Sequence, residues 1–156
     1  MSRILIADDQ TDVLEALRIL LKGEGHQTDA VTSLAGVFQA LLREGLIDLV
    51  RPEIGIFGIG GTRRVAALAE PYYVAVAPRH NGSPVATAAA IHIAASIPNF
   101  FIQHVPLPAA AEDRAMRREI VSPALESGKG GFLDVTKSPG LGITVNEAAL
   151  EKYRAA

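Results

Sequence analysis

The chain has 156 residues and a formal net charge of -2, which is too little charge to steer it to nucleic acid or to a membrane surface. It contains no cysteine, so thiol catalysis and thiolate metal ligands are excluded and a reducing compartment is indicated. Hydrophobic residues make up 49% of the chain, but no apolar run reaches the roughly 18 residues of a membrane-spanning helix. We therefore expect a cytoplasmic protein with no nucleic-acid or membrane partner.

The first third of the chain alternates strand and helix patterns. A continuous apolar run at 3–7 predicts a strand covered on both faces, and leucines at helical spacing after Thr11 predict an amphipathic helix. A half-polar strand over 27–32 and a helix that Ser33 caps come next. A third strand is predicted over 46–50.

The alternation continues beyond Pro52, which ends the third strand because proline has no N–H for a sheet. A glycine-rich loop then leads to Thr62, which can cap a helix over 63–70. The remaining predicted elements are a strand over 72–77, an Ala-rich helix over 85–97, a strand over 99–105 and a polar helix over 109–121. The Ala-rich helix is apolar nearly all round, so it is either deeply buried or part of a subunit contact. The charges of the polar helix, including Arg117, favour a solvated face.

Strands that alternate with helices predict an α/β fold with a parallel sheet and right-handed crossovers. Five strands favour a flavodoxin-like three-layer sandwich, with sheet order 2-1-3-4-5 and helices on both faces. We assign residues 1–122 to this single (βα)5 domain and residues 123–156 to an irregular, glycine-rich C-terminal extension. A homodimer through the Ala-rich helix or through the extension stays open.

Polar side chains follow several of the predicted strands. Asp8 and Asp9 come after the first strand, Glu53 after the third, His80 after the fourth, and His104 near the end of the fifth. Open α/β sheets bind ligands at the carboxyl ends of their strands, and carboxylates are the ligands that magnesium prefers. Two interpretations stay open: a weak magnesium site at Asp8, Asp9 and Glu53, or solvated carboxylates without a ligand.

The sequence ILIADD at 4–9, the helix after it and the sequence DLV at 48–50 resemble the receiver domain of bacterial response regulators. The resemblance implies a flavodoxin-like fold and a magnesium ion at Asp8 and Asp9, beside an aspartate that accepts a phosphoryl group from a histidine kinase. Glu53 occupies the position of that aspartate.

A second set of motifs lies between residues 46 and 153. It consists of RPEIG at 51–55, VAP at 76–78, SPVATAA at 83–89, IPNF at 97–100 and PGLGI at 139–143. These motifs resemble the C-terminal barrel part of the enolase superfamily, in particular the branch of mandelate racemase and the acid-sugar dehydratases. The resemblance implies a histidine that abstracts a proton next to a carboxylate, an aspartate that holds it, and magnesium that stabilises the enolate.

Several family positions are occupied by other residues in this chain. Glu53 stands at the aspartate position, Arg79 stands at the histidine position, and His80 follows one residue later. His104 stands where the dehydratases tend to have a catalytic glutamate. The resemblance therefore marks His80 and His104 as vestigial acid/base groups, while the earlier strands that carry the metal-binding carboxylates have no match.

We interpret the two resemblances as a chimera, designed or recombined, that is joined near 46–55. This interpretation predicts an α/β scaffold with no evolved catalytic activity and no cofactor. Two alternatives stay open: a receiver-like phosphorelay module with a residual magnesium site, and a remnant of an acid-sugar dehydratase. Amide NMR spectra recorded before and after adding magnesium separate the receiver alternative from the other two.

Overall fold

The computed structural model describes residues 1–154. The chain forms two compact units, Met1–Asp48 and Leu49–Ala156. None of the helices in the described part of the chain is long and apolar enough to cross a membrane. The assignment of 1–122 and 123–156 to a domain and an extension stays a prediction.

The first unit is a two-stranded parallel sheet with two helices. Its elements are β1 (Arg3–Ala7), α1 (Thr11–Gly23), β2 (Gln27–Val31) and α2 (Leu34–Arg43). The side chains of Ile6 from β1 and Leu14 from α1 are buried, as the apolar pattern predicts. Ser33 caps α2 as expected, because its hydroxyl oxygen accepts a hydrogen bond of 3.2 Å from the N–H of Gly36.

The second unit contains the remaining strands and helices. They are β3 (Leu49–Val50), α3 (Ile54–Ala69), a 3₁₀ turn (Glu70–Tyr72), β4 (Ala75–Val76), α4 (Pro84–Ser96), α5 (Ala111–Glu119), β5 (Val121–Ser122), β6 (Thr144–Val145) and α6 (Glu147–Lys152). β3 pairs in parallel with β4, and β5 pairs with β6 in the antiparallel direction. The second unit is therefore also an α/β arrangement.

The predicted five-stranded sheet is not formed by residues 1–154. These residues form three separate two-stranded sheets, β1 with β2, β3 with β4, and β5 with β6. β3 and β4 each have only two residues, because Pro52 and Pro78 follow closely and cannot donate to a ladder. The predicted fifth strand is reduced to a parallel bridge between Phe100 and Val76. The three segments predicted as the third, fourth and fifth strands nevertheless lie side by side in the same order within the second unit.

The glycine-rich segment before Thr62 is helical rather than a loop. α3 begins at Ile54, and the helix predicted over 63–70 is only its second part. Gly58 interrupts α3 with a φ of 63° and a ψ of -179°, a left-handed conformation that glycine adopts at little cost. Thr62 consequently lies inside the helix and is fully buried, instead of capping it.

The Ala-rich helix α4 is buried, which is one of the two alternatives that its composition leaves open. Ala88, Ala90 and Ile93 are each at most 1% exposed. α4 contacts α3 in the core of the unit, and alanine side chains allow the two backbones to approach closely. α4 therefore supports the segment that precedes it.

Two glycines near the C-terminus provide a test of local packing. Gly140 and Gly142 have φ angles of +67° and +66°, but a Cβ at Gly142 would lie 1.8 Å from Thr136 Oγ1 whereas a Cβ at Gly140 meets open space. We expect Gly140→Ala to cost about 1 kcal/mol of unfolding free energy for its left-handed backbone. Gly142→Ala should cost roughly 1–3 kcal/mol more, because Thr136 must also move. Urea unfolding measures both losses, and equal losses would contradict the close contact.

Candidate active site

The segments after β3 and β4 place Glu53 next to Arg79. The two residues form a parallel bridge, in which Arg79 N–H donates to Pro52 O at 3.0 Å and Ile54 N–H donates to Arg79 O at 2.9 Å. Arg79 Nε lies 3.1 Å from Glu53 Oε2, as an ion pair without the angle of a hydrogen bond. The glutamate at the family's aspartate position therefore holds Arg79 and makes no hydrogen bond to His80.

His80 is fully buried beside the first turns of α4. Ser83 and Pro84 begin that helix and so place Thr87 where its Oγ1 lies 3.2 Å from His80 Nε2. The other ring nitrogen, Nδ1, is buried and has no hydrogen-bond partner within residues 1–154. A Cβ at Gly82 would lie 3.9 Å from Nδ1, so Gly82 is close to this nitrogen.

Glu126 and Arg117 form a partly buried ion pair next to Thr87. Thr87 Oγ1 donates a hydrogen bond to Glu126 Oε1. Arg117 at the end of α5 donates from Nε to Oε2 at 2.7 Å and from Nη2 to Oε1 at 2.6 Å. Both side chains are almost enclosed, 11% exposed for Arg117 and 13% for Glu126. The expectation of a solvated face for the polar helix is therefore wrong at Arg117.

Arg117 also links the ion pair to the segment around His80. Its Nη2 donates a hydrogen bond of 3.0 Å to Gly82 O. On the other side of the ring, His104 Nδ1 lies 3.1 Å from His80 O. Since a carbonyl oxygen only accepts, His104 Nδ1 carries a hydrogen and donates it to His80 O. His80 is thus anchored through its main chain by His104 and through its side chain by Thr87.

The environment of His80 favours its neutral form. Burial lowers the pKa of His80, and the positive charge of Arg117 acts in the same direction, while the negative charge of Glu126 opposes both. The lowered pKa means that His80 is a neutral imidazole at neutral pH. A neutral imidazole with an unpaired nitrogen can accept a proton, which is the chemistry of a general base.

Asp8 and Asp9 lie in the first unit, whereas Glu53 lies in the second. Asp8 Oδ1 accepts a hydrogen bond of 2.9 Å from Gln10 N–H at the start of α1. No group of three or more His, Asp or Glu side chains that could hold a metal ion is found in the described range. The described residues therefore do not gather a ligand group for the magnesium ion that both resemblances imply, and no chemical step is derived through it. Magnesium binding at Asp8, Asp9 and Glu53 stays a prediction.

The functional residues that the sequence does not reveal are Thr87, Arg117 and Glu126. Thr87 lies inside the SPVATAA motif, which is the one signal that could have indicated it. Arg117 and Glu126 are nine residues apart, on α5 and after β5, and no helical or strand period relates them.

Among known proteins, the family described as "Enolase C-terminal domain-like" matches residues 11–149. A D-galactonate dehydratase family member from Paenibacillus sp. (strain JDR-2) is 38% identical over 110 residues, which cover 69% of this chain and 26% of that protein. The D-gluconate dehydratase of Thermoproteus tenax is 32% identical over 120 residues, which cover 73% of this chain and 22% of that enzyme. The chain therefore spans about a quarter of the length of these relatives.

A solved structure agrees with these matches. It is an enolase from Agrobacterium radiobacter, a putative galactarate dehydratase bound to Na and L-malate, with a TM-score of 0.66 and 28% identity over 95% of this chain and 41% of that one. Because the family match covers most of the sequence, this chain belongs to the enolase C-terminal domain-like family. The match begins at residue 11, inside the region that resembles a receiver, and nothing among these relatives supports a receiver domain.

Proposed function

We propose that the chain carries the proton-transfer part of an acid-sugar dehydratase site, with His80 as the base. The observation that carries the proposal is the unpaired Nδ1 of a buried, neutral His80 just beyond the carboxyl end of β4. Barrel enzymes place their chemistry at this end of the strands. Two relatives of the chain are named as a D-gluconate dehydratase and a D-galactonate dehydratase family member.

The proposed reaction starts with removal of the proton on the carbon next to the substrate carboxylate. His80 Nδ1 takes this proton, and the hydroxyl on the neighbouring carbon leaves as water after it receives a proton from an acid. His104 is the candidate acid: in its protonated form Nε2–H gives the proton, while Nδ1–H stays bonded to His80 O. The enol that remains then takes its keto form. Because Nδ1 is buried, the protein around it must move before a substrate can reach it.

The experiment follows the first step separately from dehydration. The protein is incubated with magnesium and D-gluconate, D-galactonate or galactarate in deuterated water, and proton NMR records loss of the α-proton signal and formation of a keto acid. We expect exchange of the α-proton with at least one substrate and its loss in His80→Gln. His26→Gln is the matched control, because the side chain of His26 accepts a hydrogen bond from Ser2 N–H in the first unit and lies outside the candidate site.

Two outcomes would overturn the proposal: no exchange with any of the three substrates, or the same exchange rate in folded His80→Gln as in the unaltered protein. A folded protein without exchange would favour the inactive scaffold, including its origin as a chimera. Saturable magnesium-dependent shifts at Asp8 and Asp9 would favour the receiver-like alternative. The homodimer stays a prediction, and light scattering of the same sample measures the mass that decides it.

A further inference from the structure

The hydroxyl of Thr87 lies between two competing acceptors. It has one proton, and both Glu126 Oε1 and His80 Nε2 are within reach. Arg117 donates two hydrogen bonds to the Glu126 carboxylate, and a carboxylate paired with a guanidinium acts as an acceptor. The proton of Thr87 is therefore directed to Glu126, since the charged acceptor forms the stronger bond.

The direction of the hydrogen bond from Thr87 determines which ring nitrogen of His80 carries the hydrogen. With its own proton committed to Glu126, Thr87 Oγ1 can only accept from His80 Nε2, so Nε2 must carry a hydrogen. A neutral imidazole has one N–H, and Nδ1 is left with an unshared electron pair. The alternative tautomer would turn the lone pair of Nε2 toward the lone pairs of Thr87 and would bury an N–H at Nδ1 without an acceptor.

The order of the three groups also defines what they do. In a nucleophilic triad the histidine lies between the hydroxyl and the acid, and it removes the hydroxyl proton. Here Thr87 lies between His80 and Glu126, and it is fully buried. The hydroxyl consequently orients the histidine and has no nucleophile's role.

We propose that Glu126 is a positioning residue that acts through Thr87 to hold His80 in the tautomer with hydrogen on Nε2, leaving Nδ1 as the basic nitrogen. Arg117 holds the Glu126 carboxylate in place and also binds Gly82 O, so the same arginine fixes the backbone near His80. The assignment of Nδ1 as the catalytic nitrogen rests on the proposed function, whereas the tautomer of His80 does not.

NMR of protein labelled with ¹⁵N in histidine measures the tautomer directly. Long-range proton–nitrogen spectra report which ring nitrogen of His80 carries the hydrogen, and we expect Nε2 in the unaltered protein. Glu126→Gln introduces an amide that can donate to Thr87, so the Nδ1–H tautomer should gain population. Thr87→Val removes the acceptor of Nε2–H and should give a mixture of both tautomers.

Glu119→Gln is the matched control, because Glu119 lies at the exposed end of α5 and binds Lys152 and Tyr153. We expect it to leave the tautomer of His80 unchanged. If the NMR spectra of the unaltered protein show the hydrogen of His80 on Nδ1, that result alone overturns the inference. An unchanged tautomer in both Glu126→Gln and Thr87→Val would overturn it as well.

The exchange assay adds a second readout. If Glu126 acts on the tautomer alone, Glu126→Gln should lower kcat for α-proton exchange by roughly 10- to 100-fold and leave KM nearly unchanged, because loss of the productive tautomer disables the base without touching the substrate. A rise in KM at constant kcat would contradict the positioning role. Absence of exchange in the unaltered protein would contradict the proposed function. It would not affect the tautomer of His80 that NMR measures.

Discussion

Replacing Arg117 by methionine is expected to lower the free energy of unfolding by about 3–5 kcal/mol, because the Glu126 carboxylate then stays buried without a counter-charge. Glu126 is 13% exposed, and Arg117 supplies two of its three hydrogen bonds. Methionine keeps the apolar stem of the side chain, so loss of packing contributes little. Urea unfolding monitored by circular dichroism measures the change.

Two further variants separate charge from packing. Arg117→Met combined with Glu126→Gln removes both charges and keeps an acceptor for Thr87, so we expect it to recover most of the loss. Lys152→Met breaks the ion pair with Glu119, whose side chains are 58% and 43% exposed, and should change stability little. A similar effect of Arg117→Met and Lys152→Met would mean that the ion pair of Arg117 is hydrated in solution.

Local sequence patterns predicted most helices and both strands of the first unit, because each of these elements has its own apolar period and its own end signals. β1, β2, α2 and α4 lie close to their predicted positions, and Ser33 acts as the expected cap. The sequence does not predict the first part of α3, because glycine lowers helix propensity by about 1 kcal/mol per residue and the segment before Thr62 therefore resembles a loop. Packing of α3 against α4 outweighs that local cost.

The sheet could not be deduced in the same way. Pairing between strands is set by contacts distant in sequence, and the two prolines at 52 and 78 limit β3 and β4 to two residues each. The predicted alternation is found over β3, α3, β4 and α4, but alternation alone does not distinguish an open sheet from part of a barrel. Motifs such as SPVATAA, rather than periodicity, indicated the family.

The candidate site was predictable only where a residue follows a strand. His80, His104 and Glu53 were found through this position, and the structure binds His104 to the main chain of His80. Glu126 follows no predicted strand, and its ion pair with Arg117 joins two segments that are irregular in sequence. The hydrogen bonds that determine the tautomer of His80 therefore depend on tertiary structure.

Two fully buried threonines in the second unit should respond to the same substitution with opposite signs. Thr62 Oγ1 is buried and has no hydrogen-bond partner in the described residues, whereas Thr87 Oγ1 contacts both His80 and Glu126. A helical threonine usually bonds to the carbonyl four residues earlier, and at Thr62 that residue is Gly58, where the backbone is not helical. Burial of the unpaired Thr62 hydroxyl therefore lowers the free energy of unfolding.

Thr62→Val should raise the free energy of unfolding by about 1–2 kcal/mol, because valine has nearly the same shape and no polar group to desolvate. Thr87→Val should lower it by about 1–3 kcal/mol, because His80 Nε2–H then loses its acceptor inside the core. Each variant is the control for the other, since both replace a buried hydroxyl on a helix by a methyl group. Urea unfolding of the two proteins measures both changes. Destabilisation by Thr62→Val would mean that its hydroxyl has a partner in solution, and stabilisation by Thr87→Val would mean that the bond between Thr87 and His80 does not hold the imidazole.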